Sequence, residues 1–209
     1  MLLIGVTGGI ACGKTEVCKV FQKKGAIVIS GDQLGREILR EKKGIVRELA
    51  KVFGKKILNK NRGLSRRKLG EVAFASKEAN RLLNKIIHPF LLRELRRKIK
   101  TLRKRYSKGV IVVDAALIVE WGIQKQFDFL VLVDSKRKNQ IERFCSSKGY
   151  SLNTAREIIR CQLPKKTKKR YADLVIDNDG NLKQLKEKAR RVWSIIFALS
   201  RKKRMRPKL

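Results

Sequence analysis

The chain has 209 residues, 43% of them hydrophobic, which is enough for one packed core and too apolar for a disordered chain. No apolar run approaches the roughly 20 residues that a membrane span needs, and Cys12, Cys18, Cys145 and Cys161 show neither C-x-x-C spacing nor more than one histidine to share a metal, so they read as reduced thiols of a cytoplasmic protein. Fifty-three Lys and Arg against eighteen Asp and Glu leave a formal charge of +35, which small anionic ligands alone cannot explain.

In chain order, Leu2-Leu3-Ile4-Gly5-Val6-Thr7 is a short apolar run of strand type, starting so early that no signal or transit peptide is expected before it. Gly8-Gly9-Ile10-Ala11-Cys12-Gly13-Lys14-Thr15 follows and matches G-x-x-x-x-G-K-[ST] at every required position, and Glu16-Val17-Cys18-Lys19-Val20-Phe21 has helix-like spacing. Strand, glycine turn and helix in register lift the match above chance. Ala26-Ile27-Val28-Ile29 reads as a second buried strand, ending at Ser30-Gly31-Asp32. Helices are expected over about 33–39 and 45–53, a polar loop or hairpin over 57–64, and a helix from a Ser65 cap to about 74. Ser76-Lys77-Glu78-Ala79 resembles a cap whose helix reaches Ile87. Pro89 disfavours helix at His88, so a fresh helix is expected from there to about 106.

Val110-Ile111-Val112-Val113-Asp114 and Phe129-Leu130-Val131-Leu132-Val133-Asp134 are continuous apolar strands ending in carboxylates, and Leu174-Val175-Ile176-Asp177 is the last strand. Helices over about 137–147, 153–161 and 182–200 fill the intervals, and residues 201–209 form a basic tail expected to be disordered. Apolar strands separated by helices predict an α/β fold, a parallel sheet covered on both faces with its ligand at the carboxyl ends of the strands.

The glycine-rich loop predicts a bound nucleoside triphosphate. Gly8 and Gly13 let the backbone fold back so that N–H groups from Gly9, Ile10, Ala11 and Cys12 converge on phosphate oxygens, helped by the dipole of the helix that opens at Gly13. Lys14 then reaches the terminal phosphates, Thr15 ligates Mg²⁺ through its hydroxyl, and Glu16 offers its N–H with its carboxylate turned away. Cys12 lies inside the loop, so its alkylation is expected to block nucleotide binding. Among the carboxylates, Asp32 is placed either to orient and deprotonate an acceptor hydroxyl or to cap a helix. Asp114 ends its strand as a second-shell Mg²⁺ partner or as a turn residue. His88, next to Pro89, reads as a structural residue at a helix break. The cations are dispersed with few aromatics between them, and clusters at 93–105, 165–170 and 201–208 read as solvated faces. Any nucleic-acid contact is expected to be non-specific and salt-sensitive.

Taken together, the blocks resemble the dephospho-CoA kinase family of P-loop kinases. Ile4-Gly5-Val6-Thr7-Gly8-Gly9-Ile10 with Gly13-Lys14-Thr15 is similar to that family's opening, and Val28-Ile29-Ser30-Gly31-Asp32-Gln33-Leu34-Gly35-Arg36-Glu37 to its next block. Phe53-Gly54, Ile57-Leu58, Gly63-Leu64-Ser65-Arg66-Arg67-Lys68-Leu69, Leu83-Asn84 and His88-Pro89 continue the order. Asp114-Ala115-Ala116-Leu117-Ile118-Val119-Glu120 corresponds to D-x-P-L-L-x-E, Gln140 and Arg143 to the start of a lid, and Gln162 and Ala172-Asp173-Leu174-Val175-Ile176-Asp177-Asn178-Asp179-Gly180 complete it.

The resemblance implies transfer of the γ-phosphate of MgATP to the 3′-hydroxyl of dephospho-CoA, the last step of coenzyme A synthesis. Asp32 is implied as base, Arg36, His88 and Pro89 as holding dephospho-CoA, Arg143 as a lid residue over the phosphates, and Asn178 to Gly180 as lying near the adenine. It further implies a five-stranded parallel sheet in a single kinase domain over 1–200, with core parts 1–40, 108–140 and 170–200, a helical substrate-binding part at about 41–107 and a lid at about 141–169. A cytoplasmic monomer is expected. Four positions depart from the pattern: Ser30 replaces the usual first aspartate, Ala116 a proline, Ser147 a second lid arginine, and Cys12 a serine whose position works through its amide. Loss of that carboxylate and guanidinium predicts a reduced rate. The competing readings are a catalytically weakened P-loop protein with nucleic-acid affinity, and a kinase of the same architecture acting on a nucleoside or nucleotide.

Overall fold

A computed structural model of the chain describes residues 1–61 and 63–205, apart from the side chains of 148 and 202–205. Five strands, β1 (Leu2–Thr7), β2 (Ala26–Ser30), β3 (Val110–Asp114), β4 (Phe129–Asp134) and β5 (Leu174–Asp177), form one sheet in the order β2-β3-β1-β4-β5. Every pairing in it is parallel, as the uninterrupted apolar runs predict. Successive side chains of a strand face opposite sides, and the core divides accordingly. Leu3, Ile111 and Val113 join one apolar cluster, whereas Ile4, Val6, Val110 and Val112 join the other.

The second cluster is closed by α1 (Lys14–Lys23) and α9 (Leu182–Met205). Phe21 meets Trp193 at 5.2 Å between ring centroids and Trp193 meets Phe197 at 4.8 Å, contacts worth about 0.5–1.5 kcal/mol each beyond their burial. The first cluster is closed by α2 (Gly31–Glu41), α3 (Lys43–Phe53), α4 (Arg66–Ala73) and α5 (Lys77–Arg105). Ser65 and Ser76 cap α4 and α5 by accepting from the Lys68 and Ala79 amides. Leu58 and Leu64 form an isolated antiparallel bridge, so the 57–64 stretch does turn back on itself. Beyond β4 lie α6 (Arg137–Lys148), α7 (Leu152–Arg160) and α8 (Lys165–Lys169). Among the described residues no helix is long and apolar enough to cross a membrane.

Two expectations change. The helix break at His88-Pro89 is absent: α5 runs through Pro89 for 29 residues. Proline forfeits one hydrogen bond, to the Lys85 carbonyl, and crowds the preceding turn. Ile86 and Ile87 before it and Leu91 and Leu95 after it are buried in the same core, and that shared burial outweighs the local penalty. The tail is also shorter than expected, because α9 continues from Ser200 to Met205, while residues 206–209 lie outside the described residues.

Candidate active site

Between β1 and α1 the backbone takes three positive φ angles, +146° at Gly8, +48° at Ala11 and +99° at Gly13. A side chain at Gly8 would collide with the Val133 carbonyl, and one at Gly13 would come within 2.5 Å of Asn178 Nδ2. These positions require glycine for space as well as for conformation. The resulting concave loop opens onto the first turn of α1, and the N–H groups of Ala11, Gly13, Lys14 and Thr15 have no hydrogen-bond partner among the described residues. Converging free amides at a helix N-terminus form an anion cradle. Lys14 lies over it, its ammonium held by the carbonyls of Gly8 at 3.1 Å and Gly9 at 2.7 Å.

Two amides expected to face the phosphates are already engaged. The Ile10 N–H donates to Gln162 Oε1 at 3.1 Å, and the Glu16 N–H donates to the Gly13 carbonyl at 3.1 Å within the first turn. The Glu16 carboxylate is turned away as expected, paired with Lys19 at 2.6 Å. Cys12 is wholly buried, so a thiol reagent reaches it only if the loop opens, and the expected block by alkylation has no accessible target in this conformation.

The carboxyl ends of β2 and β3 bring the acidic groups to the cradle. Ser30 stands in register with Asp114, and Thr15 donates its hydroxyl to Asp114 Oδ2 at 3.1 Å. Burial raises the Asp114 pKa and the nearby Asp32 carboxylate adds to that, whereas Lys14 and the Thr15 hydrogen bond oppose it. The capping role weighed for Asp32 belongs instead to Ser30, which accepts from the Gln33 amide at 3.2 Å and starts α2 at Gly31. Asp32 therefore sits in the first turn with its carboxylate exposed and without a hydrogen-bond partner among the described residues. Arg36, one turn later on the same side of α2, is also exposed.

A Thr15 hydroxyl beside a buried carboxylate fits Mg²⁺, which is held by one or two carboxylates together with phosphate oxygens rather than by a protein cage. No group of three or more His, Cys, Asp or Glu forms a metal cluster among the described residues.

On the far side of the loop, Asn178 is buried, donating its backbone N–H to the Asp134 carbonyl at 2.7 Å and its Nδ2 to the Cys12 carbonyl at 2.9 Å. Arg143 of α6 is tied to the same region: its guanidinium donates to Ser135 Oγ at 3.3 Å, to the Asn178 carbonyl at 3.0 Å and to the Gly180 carbonyl at 3.3 Å. Asp179 holds the start of α6 through the Lys136 amide at 2.7 Å, which with Ser135 and Asn139 lowers its pKa. The loop from 178 to 180, α6 and the phosphate loop are thus one connected structure.

His88 is not joined to this group. It stands edge-on to Trp121 at 5.6 Å, its Nε2 is buried without a hydrogen-bond partner among the described residues, and burial lowers its pKa to about 4. Pro89 beside it is exposed.

Three residues at or beside the loop escaped prediction as site residues. Gln162 takes the Ile10 amide, Gln140 donates to the Ser135 carbonyl at 2.8 Å, and Lys168 is wholly buried between the Ala116 carbonyl and Glu120. Lys168 lies in a run of five cations within six residues, so composition gave no sign that one of them points inward.

Comparison with known proteins gives this geometry a family. Residues 2–184 match the model of the dephospho-CoA kinase family. A dephospho-CoA kinase of Carboxydothermus hydrogenoformans is 36% identical over 187 residues, covering 88% of this chain and 89% of that protein. One from Fusobacterium nucleatum is 37% identical over 196 residues, covering 94% and 99%. The solved dephospho-CoA kinase of Campylobacter jejuni shares the fold with a TM-score of 0.66 at 24% identity, over 93% of this chain and 96% of that one. The loop, the sheet order and these matches over almost the full length agree, and the chain belongs to the dephospho-CoA kinase family.

Proposed function

We propose that this chain transfers the γ-phosphoryl group of ATP to the 3′-hydroxyl of dephospho-CoA, forming coenzyme A. The observation that carries the mechanism is the Asp32 carboxylate, which is exposed, unpartnered among the described residues, and close enough to Asp114 to raise its pKa. A free carboxylate at the strand end beside an anion cradle is placed to accept the proton of an attacking hydroxyl. Thr15 and Asp114 would hold Mg²⁺, which when bound neutralises charge on the phosphate oxygens. Lys14 exchanges its two carbonyl partners for the terminal phosphates and stabilises the charge that develops during in-line transfer.

Asn178 and Gly180 border the adenine end, Arg36 faces the acceptor from the Asp32 side of α2, and the His88-Pro89 turn of α5 holds another part of dephospho-CoA. Arg143 leaves its three oxygen partners when the segment carrying it closes over the phosphates, and closure excludes water that would hydrolyse ATP without transfer. A monomer acting in the cytoplasm suits these roles. A side-by-side assay with MgATP tests the proposal. Coenzyme A formation from dephospho-CoA, with at most trace transfer to adenosine, supports it, and equal or better transfer to adenosine would refute the acceptor assignment.

A further inference from the structure

Lys168 is the largest charged side chain fully enclosed among the described residues, and none of the steps above uses it. Its ammonium donates to the Ala116 carbonyl at 2.7 Å and lies 2.7 Å from Glu120 Oε1. Its surroundings are shared with the phosphate loop: the same Ala116 carbonyl accepts the hydroxyl of Thr7, the last residue of β1, at 3.1 Å. The same Glu120 oxygen accepts the Leu163 amide at 3.1 Å. One residue earlier, Gln162 holds the Ile10 amide, and at the start of α8 Lys165 reaches Asp134 at 3.1 Å. Segment 162–168 is therefore bound to the phosphate loop, to the turn after β3 and to the end of β4. This segment is also the point at which α7 returns to the sheet. Burial lowers the Lys168 pKa, Glu120 opposes that, and the charge of Lys14 is felt there as well, which places the ammonium in the electrostatic neighbourhood of the cradle.

We infer that Lys168, paired with Glu120, is a positioning residue that locks the returning end of the α6–α7 segment to the phosphate loop, so that closure of that segment and the geometry of the loop change together. The pair is chemically suited to this. An enclosed ammonium has no solvent to turn to, so it holds the Ala116 carbonyl and Glu120 in one arrangement, and removing either partner leaves a buried charge without compensation. A side chain that only filled space would be replaceable by methionine. The inference rests on the kinase reading for its kinetic test and stands apart from it in its exchange test.

Wild type, Lys168→Met, Lys168→Arg and the double variant Lys168→Met/Glu120→Leu, which removes both buried charges and so preserves folding, are compared by kcat, by the ratio of ADP to coenzyme A formed, and by amide exchange at Ile10 and Leu163. Displacement of the loop by a fraction of an ångström predicts a kcat lower by about 10- to 100-fold in Lys168→Met and in the double variant. The same variants are expected to form ADP in excess over coenzyme A and to exchange the Ile10 amide at least about tenfold faster, with most of each effect reversed in Lys168→Arg. Wild-type kcat, an ADP to coenzyme A ratio of one and unchanged Ile10 exchange in the folded double variant would overturn the inference, whatever happens to its melting temperature. If wild type itself formed no coenzyme A, the acceptor assignment would fall, and the exchange measurement alone would decide on Lys168.

Discussion

Ser30 ends β2 beside Asp114, and its hydroxyl is occupied by the Gln33 amide at the start of α2. Aspartate caps helices as well as serine does, so Ser30→Asp is expected to preserve α2 while adding a carboxylate next to Asp114. The predicted result is a higher turnover and a lower Mg²⁺ requirement, read from kcat against Mg²⁺ concentration, whereas Ser30→Ala should lose about 1 kcal/mol of stability with the cap. His88 gives a prediction of the opposite kind. Its pKa falls from 6.5 to about 4 on folding, so between those values the unfolded chain binds the extra proton. Stability is then full above pH 6.5 and is lost as pH falls towards 4. Replacing His88 with phenylalanine should flatten that part of a denaturant-midpoint against pH curve. Much at this scale was legible: Lys14, Thr15 and Asp114 stand where the loop pattern and the strand ends put them. What was not legible depended on partners distant in sequence. Nothing in residues 28–33 says that Ser30 rather than Asp32 takes the cap, and nothing near Lys168 announces Glu120.

Among the elements, α5 carries the clearest conflict between local preference and tertiary packing. Pro89 lies inside a helix whose buried residues flank it on both sides, and interior proline costs about 3 kcal/mol relative to a good helix former. Pro89→Ala should therefore raise the denaturation midpoint. If the His88-Pro89 turn shapes the acceptor site as proposed, the same variant should raise KM for dephospho-CoA and leave KM for ATP unchanged. A break at Pro89 was the natural sequence expectation because the rule is local. The core formed with β2 and β3 is not local, and only the assembled sheet reveals it. By contrast, the strands were readable almost to the residue, since each is an uninterrupted apolar run and must be covered on both faces. The short α8 went unseen because five residues rich in lysine have no apolar stripe to betray a helix.

For the whole molecule, the formal +35 charge is the feature that the fold leaves without a role. The ion pairs are mostly exposed pairs within one helix, such as Arg97–Glu94 and Arg160–Glu157, and solvent and salt screen such pairs so strongly that they add little to stability. A surface so poor in acidic groups should retain nucleic acid non-specifically. Binding to a mixed-sequence RNA is expected at about 50 mM salt and should fall by orders of magnitude by about 200 mM, without sequence preference. Binding that persisted at the higher salt would instead require a built nucleic-acid site. The sheet order, the loop and the family follow from the apolar strands and from motifs spread along the chain, and charge adds nothing to them.

The mechanism turns on the proposed role of Asp32 as the base of a phosphoryl transfer to dephospho-CoA. Its most direct measurement compares wild type with Asp32→Asn, by coenzyme A formation from MgATP and dephospho-CoA and by ATP affinity. Loss of the base should reduce turnover by about 10²- to 10⁴-fold with ATP affinity nearly unchanged. Turnover near that of wild type in the asparagine variant would contradict it.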